Sequence, residues 1–116
     1  MVSNQQKLRV LELSGSPYEM GLAHGEHYAD EIRQFAEQRL AFCADPSFTN
    51  TWLSRRDILQ MTATCIPHHQ EYFPVAMQEL QGIADATSLS LEEVIILNGF
   101  TDLLDLIQTL HKTTIP

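Results

Sequence analysis

The amino-acid sequence predicts a mostly helical chain of the α+β class, with one strand near its amino end followed by about four helices. Three observations lead to this prediction. Residues 8–14 alternate in the manner of a short strand. Serine followed three positions later by glutamate, the capping box that starts helices, occurs at Ser16 and at Ser90. Apolar residues recur at helical spacing between these serines. The length of 116 residues indicates a single segment, residues 1–116, that is one domain or part of one.

The predicted strand, LRVLELS, has apolar residues on both faces, with Leu8 and Val10 on one and Leu11 and Leu13 on the other. This pattern is typical of a strand inside a sheet that is covered on both sides. Its backbone groups need neighbouring strands as hydrogen-bond partners. Since no other segment has a strand pattern, we expect those neighbours to come from another polypeptide.

The first helix should begin after Ser16, whose hydroxyl can accept a hydrogen bond from the backbone amide of Glu19, and should run to about Phe42. Gly21 and Gly25 each cost about 1 kcal/mol relative to alanine inside a helix. They therefore indicate a place where another backbone comes close. A phosphate-binding role is the weaker alternative, because no glycine-rich loop precedes them.

The rest of the chain predicts a linker and three further helices. Residues 43–51 are rich in turn-forming residues and should form the linker. A second helix is expected near residues 52–65 and a third near 67–86, where Pro74 should kink the helix or start it afresh. The fourth begins after Ser90.

The segment from Leu89 to Leu110 is the longest apolar stretch, and the chain ends at Pro116 soon after it. As a helix, its four consecutive apolar residues 94–97 must be buried on nearly every side. One interpretation is a central core helix in a small bundle. The other interpretation is that a second polypeptide covers the segment, because a chain of 116 residues would have difficulty covering this helix and its other amphipathic segments at once.

Composition excludes several function classes. The net charge is −8, with 15 acidic against 7 basic residues, which argues against nucleic acid and anionic membranes as partners. No apolar run approaches the roughly 20 residues of a membrane span. The first ten residues lack the apolar core of a signal peptide, so a cytoplasmic location is expected.

The cysteines and histidines predict neither a metal site nor a cofactor. Cys43 and Cys65 lie in no paired motif and are expected to be free, buried thiols. The adjacent histidines His68 and His69 should point apart on a helix. His24 is expected to make a structural hydrogen bond near the start of its helix.

Two blocks of the sequence together resemble the acyl-coenzyme A:isopenicillin N acyltransferase family, which includes the β-alanyl-dopamine hydrolases. The resemblance covers roughly residues 8–102. The matching positions in the first block are Gly15, Ser16, Pro17, Glu19, Gly21, His24 and Gly25. Those in the second are Glu79, Leu80, Gly82, Ile83, Ala84, Leu97 and Asn98.

The resemblance implies that this chain is the α subunit of a self-cleaved, amino-terminal-nucleophile (Ntn) cysteine amidohydrolase or acyltransferase. In that family a precursor cuts itself before a cysteine, which becomes the first residue and nucleophile of a larger β subunit. The implied fold is a four-layer αββα sandwich completed by the β subunit, and the implied substrate is a small-molecule amide or acyl thioester. No catalytic residue is then expected in this chain, the cut would follow Pro116, and assembly of αβ units into a higher oligomer is left open.

The chain also departs from the penicillin-forming members of the family. Phe100 stands where they have arginine, and Asp102 where they have glutamate, which suggests a more apolar pocket. We predict a substrate pocket lined by Phe100, Asp102, Leu103 and Leu106. For Asp102 and Asp105 a solvated stripe is the alternative. The alternative function is a stand-alone helical module for protein–protein interaction, without catalysis.

Overall fold

The computed structural model describes residues 10–114, except for the side chains of residues 100, 101 and 110–114. Within this range the chain forms seven α-helices. They are α1 (Pro17–His27), α2 (Ala29–Cys43), α3 (Pro46–Thr49), α4 (Arg55–Tyr72), α5 (Pro74–Thr87), α6 (Leu91–Asn98) and α7 (Phe100–Thr114). None of the helices in the described range is both long and apolar enough to cross a membrane.

The predicted α+β class and the αββα sandwich are both wrong for the described residues, which form an all-helical globule. Residues 10–14 are irregular, and residues 8 and 9 of the predicted strand lie outside the described range. A strand is stable only beside a second strand that takes up its N–H and C=O groups. No such neighbour exists between residues 10 and 114, so the alternation within residues 10–14 has no structural consequence there.

The two predicted capping boxes are confirmed. The Ser16 hydroxyl accepts from the Glu19 amide at 3.1 Å, and the Glu19 carboxylate accepts from the Ser16 amide at 3.0 Å. The same reciprocal pair joins Ser90 and Glu93, at 3.1 and 2.9 Å. The hydrogen bond from the Ser16 backbone amide also lowers the pKa of Glu19. These boxes fix the starts of α1 and α6.

The first predicted helix is divided at Tyr28, where α1 ends and α2 begins. Tyr28 has φ −117° and ψ 30°, outside helical geometry, although its amide still donates to the His24 carbonyl at 3.1 Å. The new direction of α2 brings Arg33 to the end of α5, where its guanidinium donates to the Thr87 carbonyl at 3.0 Å. No glycine or proline marks this break, so helix periodicity alone did not predict it.

The boundary predicted between the second and third helices is also wrong. Helix α4 runs from Arg55 to Tyr72, starts with a capping box between Ser54 and Asp57, and contains Pro67 in its interior. Pro67 is exposed, so the carbonyl that loses its helical N–H partner lies on a face that water reaches. The break comes instead before Pro74, which starts α5 afresh, one of the two alternatives predicted for it.

The close approach predicted for the glycines of α1 is confirmed, and α5 is the helix that approaches. A Cβ added at Gly21 would lie 2.8 Å from the carbonyl carbon of Glu79, and closer still to its oxygen. A Cβ at Gly25 would lie 2.7 Å from the Cβ of Ala86. On the opposite side, a Cβ at Gly82 would lie 2.6 Å from a backbone nitrogen of α1. The two backbones therefore cross at a distance that only glycine permits.

The core consists of two clusters with α6 between them. Ile96 belongs to the cluster formed mainly by α2, α4 and α7, and Val94 to the one formed by α2 and α5. Val94 and Ile96 are each 1% exposed and Ile95 is 7% exposed, with only this chain present. The apolar segment is therefore a central core element, interrupted at Gly99, and these three residues need no second polypeptide to cover them.

Candidate functional site

A pocket of about 80 Å³ lies where α4 faces the junction of α6 and α7. The residues that line it are Thr62, Cys65 and His69 of α4, Ile95, Ile96 and Gly99 at the end of α6, and Asp102, Leu103 and Leu106 of α7. The α4 residues share one face because they are spaced by three and four positions. We call this space the α4–α7 pocket.

Three of the four predicted pocket residues meet here. Asp102 is exposed at the pocket, Leu103 is 7% exposed and shared with the core, and Leu106 is half-buried. Phe100 is the first residue of α7, and its side chain lies outside the described part of the structure. Asp105 is exposed on the same helix but does not line the pocket. The binding of substrate by these residues stays a prediction.

Sequence reasoning missed the contribution of α4 to this pocket. Cys65 and His69 are four positions apart, the spacing that places two side chains on one face of a helix. The third helix had been predicted to start at Pro67, which assigned the two residues to different helices. If residues 55–72 are taken as one helix, the spacing of Cys65 and His69 indicates that they share a face.

The polar side chains from α4 all turn their donors back to their own helix. The Thr62 hydroxyl donates to the Ile58 carbonyl at 2.8 Å. The Cys65 thiol donates to the Met61 carbonyl at 3.8 Å, a weak bond of the kind that sulfur makes. Nδ1 of His69 lies 2.8 Å from the Cys65 carbonyl oxygen. Because a carbonyl can only accept, Nδ1 carries the hydrogen and donates, and Nε2 is the remaining polar atom of the ring.

Neither cysteine has the surroundings of an activated nucleophile. Both thiols are free. Cys43 is buried in the core, and burial raises the pKa of its thiol to about 11, so at neutral pH it is protonated and unreactive. Cys65 is half-buried, and its thiol hydrogen is directed to the Met61 carbonyl. Among the side chains that can be described, no three His, Cys, Asp or Glu residues stand close enough to hold a metal ion.

A second, wider groove of about 290 Å³ lies beside the crossing of α1 and α5. Five of the positions that carry the family resemblance line it: His24, Leu80, Ile83, Leu97 and Asn98. The glycines of both blocks form the adjacent crossing. Between residues 10 and 114 no described side chain or backbone group forms a hydrogen bond with the His24 side chain, in contrast to the prediction. The His24 ring stands edge-on to Tyr28, with 5.9 Å between the ring centroids. The two sequence blocks, more than 50 residues apart, thus meet in one region of the fold.

The outer face of α2 continues into α3 as a row of four side chains, in which three exposed phenylalanines accompany one half-buried arginine: Phe35, Arg39, Phe42 and Phe48. The Arg39 guanidinium lies 4.6 Å from the centroid of the Phe35 ring, and the rings of Phe42 and Phe48 are 5.3 Å apart. The three phenylalanines are 45–47% exposed. We call this row the aromatic stripe. Aromatic residues and arginine are the types enriched at protein–protein interfaces.

No protein-family model matches this chain, and no curated protein is similar to it. The resemblance to the acyltransferase family therefore depends on the fourteen positions named above and stays a prediction. Pro116, the predicted processing position, lies outside the described residues.

Proposed function

We propose that this chain is the smaller, non-catalytic chain of a two-chain cysteine amidohydrolase or acyltransferase. In this proposal the nucleophile is the amino-terminal cysteine of a larger partner chain, made from the same precursor. Its thiol attacks the carbonyl carbon of an amide or acyl thioester, the amine or thiol leaves, and water or an amine then releases the acyl group from the thioester. The free α-amine, with a pKa of about 8, takes up the proton of the thiol.

The observation that carries the proposal is the meeting of the two resembling blocks. Gly21 and Gly25 pack against the backbone of α5, and Gly82 packs against the backbone of α1. His24 and Asn98 stand at the groove beside this crossing. If the two blocks come from a shared scaffold, their residues are expected to lie together in the fold. If the likeness of the two short blocks is accidental, their residues have no reason to be neighbours. In this proposal the shared feature is the packing of α1 on α5, which a subunit without the nucleophile can contribute.

The α4–α7 pocket has the character of a binding surface. Its lining combines apolar side chains with Asp102 at the mouth. The thiol of Cys65 is hydrogen-bonded to a backbone carbonyl of its own helix, so the pocket contains no thiol paired with a base. In the proposed function the pocket holds part of the substrate while the partner chain provides the reacting groups.

The aromatic stripe supports the presence of a partner chain. The smallest dimension of the molecule is 22 Å, about two helix diameters, so the helices form two layers with outward faces. On the outward faces of α2 and α3 the stripe exposes nearly half of each of three phenylalanines. Contiguous apolar surface of this kind marks interaction sites. The larger chain is proposed to pack here, since α6 is already covered.

Two measurements test the proposal. The first is the coding sequence beyond Pro116: a cysteine codon followed by a larger domain in the same frame supports it, and a stop codon contradicts it. The second is hydrolysis of a panel of N-acyl amines by the processed two-chain protein, followed by mass spectrometry. The precursor with that cysteine changed to alanine should remain uncut and inactive. Activity of the uncut precursor would contradict the role of the new amino terminus.

The burial of α6 favours a second candidate, a stand-alone helical module that binds another protein. Ile96 and Ile107 are at most 1% exposed, so the main core is closed without any partner. Under this candidate the 116-residue chain alone should be a soluble monomer that melts cooperatively. Under the first proposal the chain alone should associate or aggregate through the aromatic stripe. Sedimentation of the parent chain and of a Phe42→Ser variant distinguishes the two candidates.

A further inference from the structure

We infer that the α4–α7 pocket binds a compact alkylammonium group, that is, a protonated primary amine on a short apolar chain. The inference rests on the proposed function, in which this pocket holds part of the substrate, and it specifies the chemical class of the group that binds there. The argument depends on the hydrogen-bonding character, the charge and the size of the pocket.

The pocket offers hydrogen-bond acceptors and almost no donors. The hydroxyl hydrogen of Thr62, the thiol hydrogen of Cys65 and the Nδ1 hydrogen of His69 are all engaged by carbonyls of α4. What remains toward a ligand is the hydroxyl oxygen, the sulfur and, on the neutral imidazole, Nε2. A ligand that carries only donors matches this set. A ligand that needs donors from the protein, such as a carboxylate, does not.

The charge of the pocket is negative. Asp102 makes no hydrogen bond or ion pair with any side chain in the part of the chain that the structure describes. Among the side chains that the structure describes, no lysine or arginine lines the pocket. A carboxylate at the mouth of an otherwise apolar space favours a cation and repels an anion. An ammonium group brings three donors and one positive charge to this position.

The size of the pocket restricts the ligand further. An apolar cavity of about 150 Å³ holds one benzene molecule, so a volume of about 80 Å³ holds roughly three or four non-hydrogen atoms. The walls are Ile95, Ile96, Leu103 and Leu106, which suit methylene groups. A propyl chain with the ammonium at the mouth fills this space. A guanidinium on a chain of the same length exceeds it.

The test is an NMR titration of the 116-residue chain carrying Phe42→Ser, a change in the aromatic stripe and outside the pocket that limits self-association. The three ligands have equal length: propylammonium chloride, propan-1-ol and sodium propionate. Propylammonium should shift the amide signals of α4 and α7 around the pocket and should saturate. Propan-1-ol and propionate should bind at least about ten times more weakly. Sodium chloride at the same concentrations controls for the attraction of cations to a chain of net charge −8.

Two variants separate the pocket from general charge. Asp102→Asn should weaken propylammonium binding about tenfold or more. Asp105→Asn, at an exposed position of the same helix but outside the pocket, should leave the binding unchanged. The inference is overturned if propylammonium fails to saturate, if the alcohol or propionate binds equally well, or if both variants act alike. Because binding is measured without the partner chain, failure here leaves the proposed amide hydrolysis intact. Conversely, amine binding can persist if no catalytic partner exists.

Discussion

Replacement of Gly21 by alanine tests the tight crossing of α1 and α5. Helix propensity alone predicts that alanine inside α1 stabilises the protein by about 1 kcal/mol. The structure predicts the opposite sign. The added methyl group would lie 2.8 Å from the carbonyl carbon of Glu79, and closer to its oxygen, so the helices have to move apart.

The magnitude follows from what blocks the methyl group. Overpacking of a well-packed site costs about 1–3 kcal/mol, and the upper end applies here because a backbone carbonyl cannot rotate away as a side chain can. Subtraction of the gain of about 1 kcal/mol in propensity leaves a net loss of about 2 kcal/mol. For a chain of 116 residues this corresponds to a fall in Tm of roughly 8 °C.

The assay is urea denaturation followed by far-ultraviolet circular dichroism, with Gly99→Ala as the matched control. Gly99 has φ −115°, which alanine adopts, and its added Cβ would lie 3.3 Å from the nearest neighbouring atom. We expect the control to change the free energy of unfolding by less than about 1 kcal/mol. If Gly21→Ala were as stable as the parent protein, the close crossing of the two backbones would be refuted.

Two further predictions concern titratable side chains. Iodoacetamide at a pH of about 8 should modify the half-buried Cys65 first and Cys43 only after unfolding, because burial raises the pKa of the Cys43 thiol to about 11. Peptide mass spectrometry measures the labelling of each cysteine, and equal labelling of the two in the folded protein would contradict this prediction. The hydrogen bonds from Arg55 lower the pKa of Glu37 in the folded protein. The pair therefore contributes its full stability above the ordinary carboxyl pKa of about 4.3, and this contribution is lost as the pH falls through the lower pKa of the folded state. Between a pH of about 6 and about 3, the Glu37→Gln variant should therefore lose less stability than the parent protein. Urea denaturation at each pH measures the free energy of unfolding, and an equal loss in both proteins would contradict a stabilising pair.

The sequence predicted those features that depend on a few neighbouring residues. The capping boxes at Ser16 and Ser90 are local chemistry, since each needs only a hydroxyl and a carboxylate three positions apart. The restart at Pro74 is local for the same reason. The sequence also predicted close packing at Gly21, because glycine destabilises a helix interior unless another backbone has to come near. It did not predict that α5 is the helix that packs there, because that depends on the tertiary fold.

The features that sequence reasoning missed are decided by the whole fold. The break at Tyr28 accompanies a tertiary contact, the hydrogen bond from Arg33 of α2 to the end of α5, and a local sequence pattern does not contain such a contact. Pro67 was predicted to begin a helix, but an exposed proline is tolerated where water can reach the released carbonyl. The strand at residues 8–14 was inferred from alternation alone, which is a weak signal over so short a run.

The same limits apply to the α4–α7 pocket. Asp102 and Leu106 were predicted because a carboxylate in an apolar helix face needs an explanation. Cys65 and His69 were missed because a wrong helix boundary separated them. Which helix faces α7 is decided by the packing of the core around Ile96, and no local pattern contains that information.

The glycine contact also determines how firmly the amino-terminal helix is held. Gly21 and Gly25 are the only buried residues of α1, so this helix contributes almost no apolar side chain to the core. Elements with few buried apolar contacts open at a lower free energy than the protein as a whole. Because α1 is held mainly by its backbone contact with α5, it should open locally at a lower free energy than α6, although it remains part of the unit that Gly21→Ala destabilises. In native-state hydrogen exchange its amides would exchange well before those of α6, and a protease would find its first cleavage sites there.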